Sequence, residues 1–191
     1  RLEANFRRGF RNFLEKRFGG DKTEISRAKI VPCGGTDETL DEFRIGVKNN
    51  SQDINLLLVD SDGPVTEETP PLEYLKKQKK SWKPPIDECS AYHLMVQEME
   101  AWIVADREAL EKYYGNGFNL NALKDWPDVE VIDRQAIAGA LQKATTKTTK
   151  GSYHKTKQGF ELLGKIDPAI VEKKARHCKH FFDTLEGLAV N

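Results

Sequence analysis

The chain has 191 residues, 38% of them hydrophobic and 31% charged, which suits one globular domain with a real core and room for a helical appendage. With 30 basic and 30 acidic residues the formal net charge is zero. No global positive field therefore draws the chain to nucleic acid, and any such contact falls to a local patch. No apolar run approaches the roughly 20 residues that span a bilayer, and no signal peptide is visible. Cys33, Cys89 and Cys178 are far apart and odd in number, so they read as reduced thiols. Together these features predict a cytoplasmic protein with no membrane partner.

The chain opens at Arg1 inside a helical pattern, so a further segment upstream is expected. Leu2, Phe6, Phe10, Phe13 and Phe18 recur at helical spacing and predict an amphipathic helix stopped by Gly19-Gly20. Residues 28–31 read as a short strand running into Cys33-Gly34-Gly35. A helix is predicted over 37–48, with Leu40, Phe43 and Val47 on one face. Residues 54–59 are almost continuously apolar, the pattern of a strand buried on both faces and central in a mainly parallel sheet. Helix, strand, helix, strand in this order argues for α/β architecture with right-handed crossovers and helices on both faces.

Residues 64–88 are polar and proline-rich and read as a surface insertion carrying a short helix over 74–80. A strand over 93–96 and a helix over 97–105 follow. Further helices are predicted over 107–114, 134–144, 155–166 and 168–185. Asp167-Pro168 opens the last with a capping carboxylate and a proline at its first turn. The organisation is thus one domain over 1–191, an α/β core over 1–106 with a mostly helical extension over 107–191.

Three stretches carry chemistry. Asp60 stands where the buried strand should end, with Asp62 two residues on, at the place where open parallel sheets bind ligands. Two carboxylates this close repel unless a cation or a proton intervenes, and oxygen ligands on a tight turn suit Mg²⁺ or Mn²⁺. Asp-Ser-Asp-Gly is also an ordinary turn sequence. Glu100 lies in a largely apolar helix beside Val96, Ile103 and Val104, where a carboxylate is costly unless paired, protonated or metal-bound. It is either a metal ligand or half of an ion pair. Glu98 projects towards Trp102 and is a weaker candidate. His93 reads as a hydrogen-bonded core or edge residue before it reads as a ligand.

The third stretch, Lys147 to Lys155, is basic and rich in hydroxyls, and it enters a helix. Lys147, Lys150 and Lys155 are candidates for binding phosphate or nucleic acid, and Lys155 for steadying charge on a phosphoryl group. A plain solvated loop is the alternative. Lys76, Lys77, Lys79, Lys80 and Lys83 around Trp82 form a second basic patch of the kind that usually just faces solvent. His177, Cys178 and His180 lack the second ligand pair a structural zinc site needs.

The stretches LLLVDSDGPV, HLMVQEMEAWIVADREAL, KGSYHKTKQGFELL and IDPA resemble an uncharacterised bacterial family with a Toprim-like domain, over nearly the whole chain. Its relatives include the Toprim nucleases of the OLD (overcoming lysogenization defect) group and similar phage-defence effectors, which work with ABC- or AAA-type ATPases. The resemblance implies a Toprim-like, Rossmann-like fold in which Asp60 and Asp62 form the Asp-x-Asp pair that holds Mg²⁺. It implies that Glu100 is the helix glutamate of the OLD-like branch and, in a looser match, that Lys155 is its late lysine. Such domains also carry a strand followed by Glu, which the resemblance places in the segment expected upstream of Arg1.

The leading expectation is a Mg²⁺- or Mn²⁺-dependent nuclease acting on DNA or RNA, with an ATPase partner and a homodimer as a further option. A non-catalytic Toprim-like regulatory subunit of an ATPase complex is the first alternative. A phosphatase of the haloacid dehalogenase type is the second, since VDSDG resembles that family's strand end, although Pro64 stands where a threonine normally follows.

Overall fold

A computed structural model describes residues 2–19, 28–50, 52–66 and 69–189, and the architecture below concerns those residues. Helix α1 (Leu2–Phe18) forms where the phenylalanine spacing places it and buries Phe10, Phe13 and Leu14. Helix α2 (Thr36–Asn49) buries Leu40 and Phe43. Strand β1 (Leu57–Asp60) is followed by helix α3 (Pro71–Gln78) and strand β2 (Tyr92–Met95). Helices α4 (Met99–Ala105), α5 (Arg107–Tyr114) and α6 (Arg134–Thr145) come next. A π-helical turn (Lys155–Gly159) runs into α7 (Phe160–Leu163), and α8 (Pro168–Lys174) and α9 (Arg176–Ala189) close the fold.

This is an α/β fold with a small parallel sheet and a helical final third. β1 and β2 pair in parallel, Leu57 opposite Tyr92 and Asp60 opposite Met95. One face of the pair (Leu57, Val59, Tyr92, Leu94) packs against Leu40 and Phe43 of α2 and Leu72 and Leu75 of α3. The other face meets the larger helical core, to which Leu58 and Met95 belong together with Phe13, Trp102 and Phe182. Apolar burial on both faces is the main force holding this layer in place.

Several sequence expectations need correction. The strand expected over 28–31 is irregular, because its carbonyls turn to α1: Arg7 Nε donates to Ile30 O at 3.0 Å and Arg11 Nη2 to Ala28 O at 2.7 Å. Among the described residues the sheet therefore has two strands, and β1 is not a central strand of a larger one. β1 is also shorter than expected. Ile54 is 66% exposed, and Asn55 Nδ2 donates to the carbonyls of Asn50 and Asp53, so the strand does not begin at Ile54. The 64–88 stretch is no mere surface insertion, since α3 buries Leu72, Tyr74 and Leu75 against the sheet.

Further along, the predicted 168–185 helix is two helices. Ala175 leaves helical geometry (φ −136°, ψ 97°), and the Lys174 carbonyl accepts from Val129 N at 2.9 Å instead. The predicted 155–166 helix is a π-turn plus four α-helical residues. Where α1 crosses α7, a Cβ on Gly9 would collide with the Phe160 carbonyl, so only glycine permits that approach. No described helix is long and apolar enough to cross a membrane.

Candidate functional site

Both strands end at the same edge of the sheet, and a network of hydrogen bonds stitches the turns that leave it. Ser61 N donates to Met95 O at 3.2 Å and Asp62 N to Gln97 O at 3.2 Å. Gln97 N donates to Ser61 Oγ at 2.8 Å, and the Ser61 hydroxyl donates to Gly63 O at 2.6 Å. Tyr74 OH donates to Ser61 O at 2.7 Å. Within this network Asp62 (φ 57°) and Gln97 (φ 60°) adopt left-handed backbone, an unfavourable state for residues other than glycine. The strain sits where the carboxylates are aimed.

Gln97 explains why α4 starts later than the apolar pattern suggests. Its left-handed turn and the extended Glu98 (φ −166°, ψ 171°) delay the helix to Met99. Val96 is consequently not on one helical face with Glu100. Glu98, expected near Trp102, instead sits at the N-cap and faces the strand ends.

The centre of the site is the Lys155 ammonium. Its Nζ lies 3.1 Å from Glu100 Oε2, 3.5 Å from Glu98 Oε2 and 3.7 Å from Asp60 Oδ2. Tyr153, two residues before it, donates its hydroxyl to Glu100 Oε1 at 2.9 Å. Glu100 is only 4% exposed, and its Oε2 makes no hydrogen bond of acceptable geometry despite the nearby ammonium. The expectation that Glu100 is buried holds. It does have a basic neighbour, and that neighbour is Lys155.

The electrostatics follow from too many carboxylates in too little water. Burial pushes the Asp60 carboxyl up, and Glu100, Asp62 and Glu98 add to the rise. Lys155 offsets this only in part, leaving Asp60 at about 6. Glu98 is raised by burial and by Glu100. Burial alone would lower the Lys155 ammonium, but Glu100 and Asp60 outweigh it and the net direction is up. The Tyr153 phenol is raised by burial and by its bond to Glu100, so it stays a donor.

Asp62 does not join this group. Its Oδ1 accepts from Arg134 Nη1 at 2.8 Å, with both side chains largely in solvent. Of the other candidates, Lys150 lies over the Tyr113 ring at 4.9 Å, and Lys147 lines a hollow with Gly117, Asn119 and Lys143. His93 is 1% exposed, and neither ring nitrogen has a hydrogen-bond partner, which corrects the reading of a hydrogen-bonded residue. It packs against the rings of His180 and Phe181, and burial lowers it to about 4. Trp82 packs against Tyr92 in a T-shaped pair, while Lys76 and Lys79 pair with Glu73 and Asp37.

Sequence reasoning passed over Tyr153 and Arg134 as individual residues. Tyr153 lay inside a segment read for its lysines. Arg134 carried no signal beyond a helix start, since its role depends on a contact with Asp62 across 72 positions.

Residues 9–186 match the profile of a family described as domain of unknown function DUF4276. The chain belongs to the DUF4276 family. No curated protein and no solved structure matches it. The family match covers all of the site described here, from Asp60 to Lys155.

In this DUF4276 chain the donor set suits a hard divalent cation. All its ligating atoms would be carboxylate oxygens, the preference of Mg²⁺ and Mn²⁺. Asp60, Asp62, Glu98 and Glu100 face Lys155 and Arg134, so two formal negative charges are uncompensated. Among the described residues no three His, Cys, Asp or Glu side chains are already disposed around a common metal position. Lys155 stands where three of the carboxylates meet.

Proposed function

We propose that this protein is a metal-dependent phosphodiesterase of the Toprim class, a nuclease that works as an effector with an ATPase partner in phage defence. The observation that carries the proposal is the convergence of Asp60, Glu98 and Glu100 on Lys155 at the carboxyl edge of a parallel strand pair. The Toprim-like reading of the fold, with Asp60 and Asp62 as its Asp-x-Asp pair, belongs to the same proposal.

Asp60 and Glu100, with Asp62 or Glu98, would hold the Mg²⁺ or Mn²⁺. When bound, the ion supplies charge neutralisation at the phosphate and acidifies a water. The chain's own residues do the rest. Lys155 presents an ammonium to the non-bridging oxygens as negative charge grows on them. Tyr153 fixes one Glu100 oxygen, and the other faces the Lys155 ammonium at 3.1 Å. The Glu100 carboxylate is itself buried, which keeps bulk water from its side of the site.

The test is cleavage of DNA and RNA by the full-length protein in Mg²⁺ or Mn²⁺, with and without its ATPase. Asp60→Asn and Glu100→Gln should abolish turnover and leave the fold intact. Lys155→Ala should slow turnover more than it weakens binding. Metal-independent cleavage, or full activity in Asp60→Asn, defeats the mechanism. Complete inactivity of the wild type with its partner present favours a regulatory subunit, in which Lys155 serves only to neutralise the carboxylates.

A further inference from the structure

Arg134 stands at the mouth of the carboxylate site because a chain of contacts puts it there. Gln97 Nε2 donates to the carbonyls of Glu130, at 3.1 Å, and Ile132. That anchors the loop before α6 to the turn after β2. Asp133 then caps α6, accepting from Gln135 N at 2.8 Å, and Arg134 becomes the helix's first residue. Its guanidinium is 44% exposed and reaches Asp62, whose backbone is locked by the bond to the Gln97 carbonyl.

The two carboxylates of Asp-x-Asp are thus each held by a different basic side chain, Asp60 beside Lys155 and Asp62 on Arg134. A divalent cation that takes both neutralises the charge that holds those bases and so weakens their hold. Arg134 is the easier to displace. Its ion pair is with one carboxylate, in solvent, where such pairs contribute little, whereas Lys155 pairs with three. The four carboxylates exceed the two bases by two formal charges, an excess that favours a cation among them. A guanidinium freed beside it offers the fork that matches a phosphate.

We propose that Arg134 is the substrate-phosphate ligand of this site, parked on Asp62 until a divalent cation takes that carboxylate and releases it. This rests on the metal-dependent phosphodiesterase reading and adds a residue and an order of events to it. Metal and phosphate then bind with positive coupling, because the cation removes Arg134's competing partner. By linkage the phosphate must strengthen metal binding by the same factor.

The experiment uses the full chain, Mn²⁺ and a short single strand with a cleavage-resistant phosphorothioate backbone, prepared as DNA and as RNA. Mn²⁺ binding is followed by the signal of the free ion, and strand binding by fluorescence anisotropy. In the wild type, Mn²⁺ should tighten strand binding by about tenfold, within the usual range of such couplings. Arg134→Gln should bind Mn²⁺ at least as tightly as the wild type, since a competitor for Asp62 is gone, yet lose most of the tightening. Asp60→Asn should lose Mn²⁺ binding.

The failures separate cleanly. If the wild type binds no Mn²⁺, the metal reading falls and this inference with it. If Mn²⁺ binds, and Asp60→Asn abolishes that binding, but Arg134→Gln keeps the full tightening, only the role of Arg134 is overturned. Arg134→Lys separates recognition from charge. It should restore part of the strand affinity if the residue meets phosphate, and an unrestored loss of both affinities would mark Arg134 as merely structural.

Discussion

Glu130 and Glu100 are 5% and 4% exposed and each lies against a basic side chain, yet they sit in different company. Glu130 Oε1 accepts from His177 N at 2.8 Å, and Oε2 meets His177 Nδ1 at 2.8 Å, so both oxygens are engaged and the carboxylate caps the start of α9. Glu100 has one oxygen bonded to Tyr153 and the other without a hydrogen bond. It shares its ammonium with Glu98 and Asp60. A buried charge that only holds a fold together is fully satisfied. One left partly open, in a cluster with excess charge of its own sign, is shaped for something that arrives later.

The sharpest way to break this contrast is to truncate both residues and compare thermal unfolding without added metal. Glu130→Ala orphans the buried His177 groups and uncaps α9. It should cost about 3–5 kcal/mol, or roughly 10 °C in a domain of this size. Glu100→Ala orphans the Tyr153 hydroxyl but relieves repulsion on Asp60 and Glu98, so the expected net loss is within about 1–2 kcal/mol. Equal losses would make Glu100 a structural residue like Glu130.

The same contrast governs what could be read from the sequence. The helices over 36–49 and 134–145 were legible because apolar spacing and caps are local signals. Asp60 and Glu100 stood out because carboxylates are costly at a strand end and in an apolar run. What was not legible depends on contacts far apart in sequence. The 28–31 segment has a strand-like composition but gives the Ala28 and Ile30 carbonyls to arginines of α1. The break at Ala175 answers to Val129. Arg134 reaches Asp62 only because Gln97 holds the preceding loop, and the left-handed turn at Gln97 brings Glu98 into the site. Neither glutamine nor arginine announces such a role by its type.

Tyr153→Phe sharpens the comparison from the other side. The phenol is 7% exposed and its hydroxyl bonds the Glu100 carboxylate at 2.9 Å. Loss of a hydrogen bond to a charged group costs about 1.5–3 kcal/mol, so unfolding should shift down by roughly 5 °C. If Tyr153 also positions Glu100, the affinity for Mn²⁺ should fall together with stability. A stability loss with unchanged Mn²⁺ affinity would limit Tyr153 to packing.

The smallest expected effect is the most diagnostic, because its sign depends on pH. Asp60 rises from 3.8 to about 6 in the folded chain, chiefly through burial. Below about pH 3 the carboxyl is protonated in both folded and unfolded chains and contributes nothing. As pH rises towards 6, the unfolded chain releases its proton first, so ionisation favours unfolding and the folded state loses stability across that window. Above about 6 the penalty is complete and constant. A third of the side chain still meets water, and screening reduces the penalty to about 1 kcal/mol. Asp60→Asn should therefore stabilise the metal-free protein by about that much at pH 7.5 and leave it unchanged at about pH 3. A divalent cation neutralises the same charge, so Mn²⁺ at pH 7.5 should stabilise the wild type and not the variant. A variant less stable than the wild type at pH 7.5 would mean that Lys155 and Asp60 form a net favourable pair. The carboxylate cluster would then be complete with its lysine and would have no vacancy for a metal.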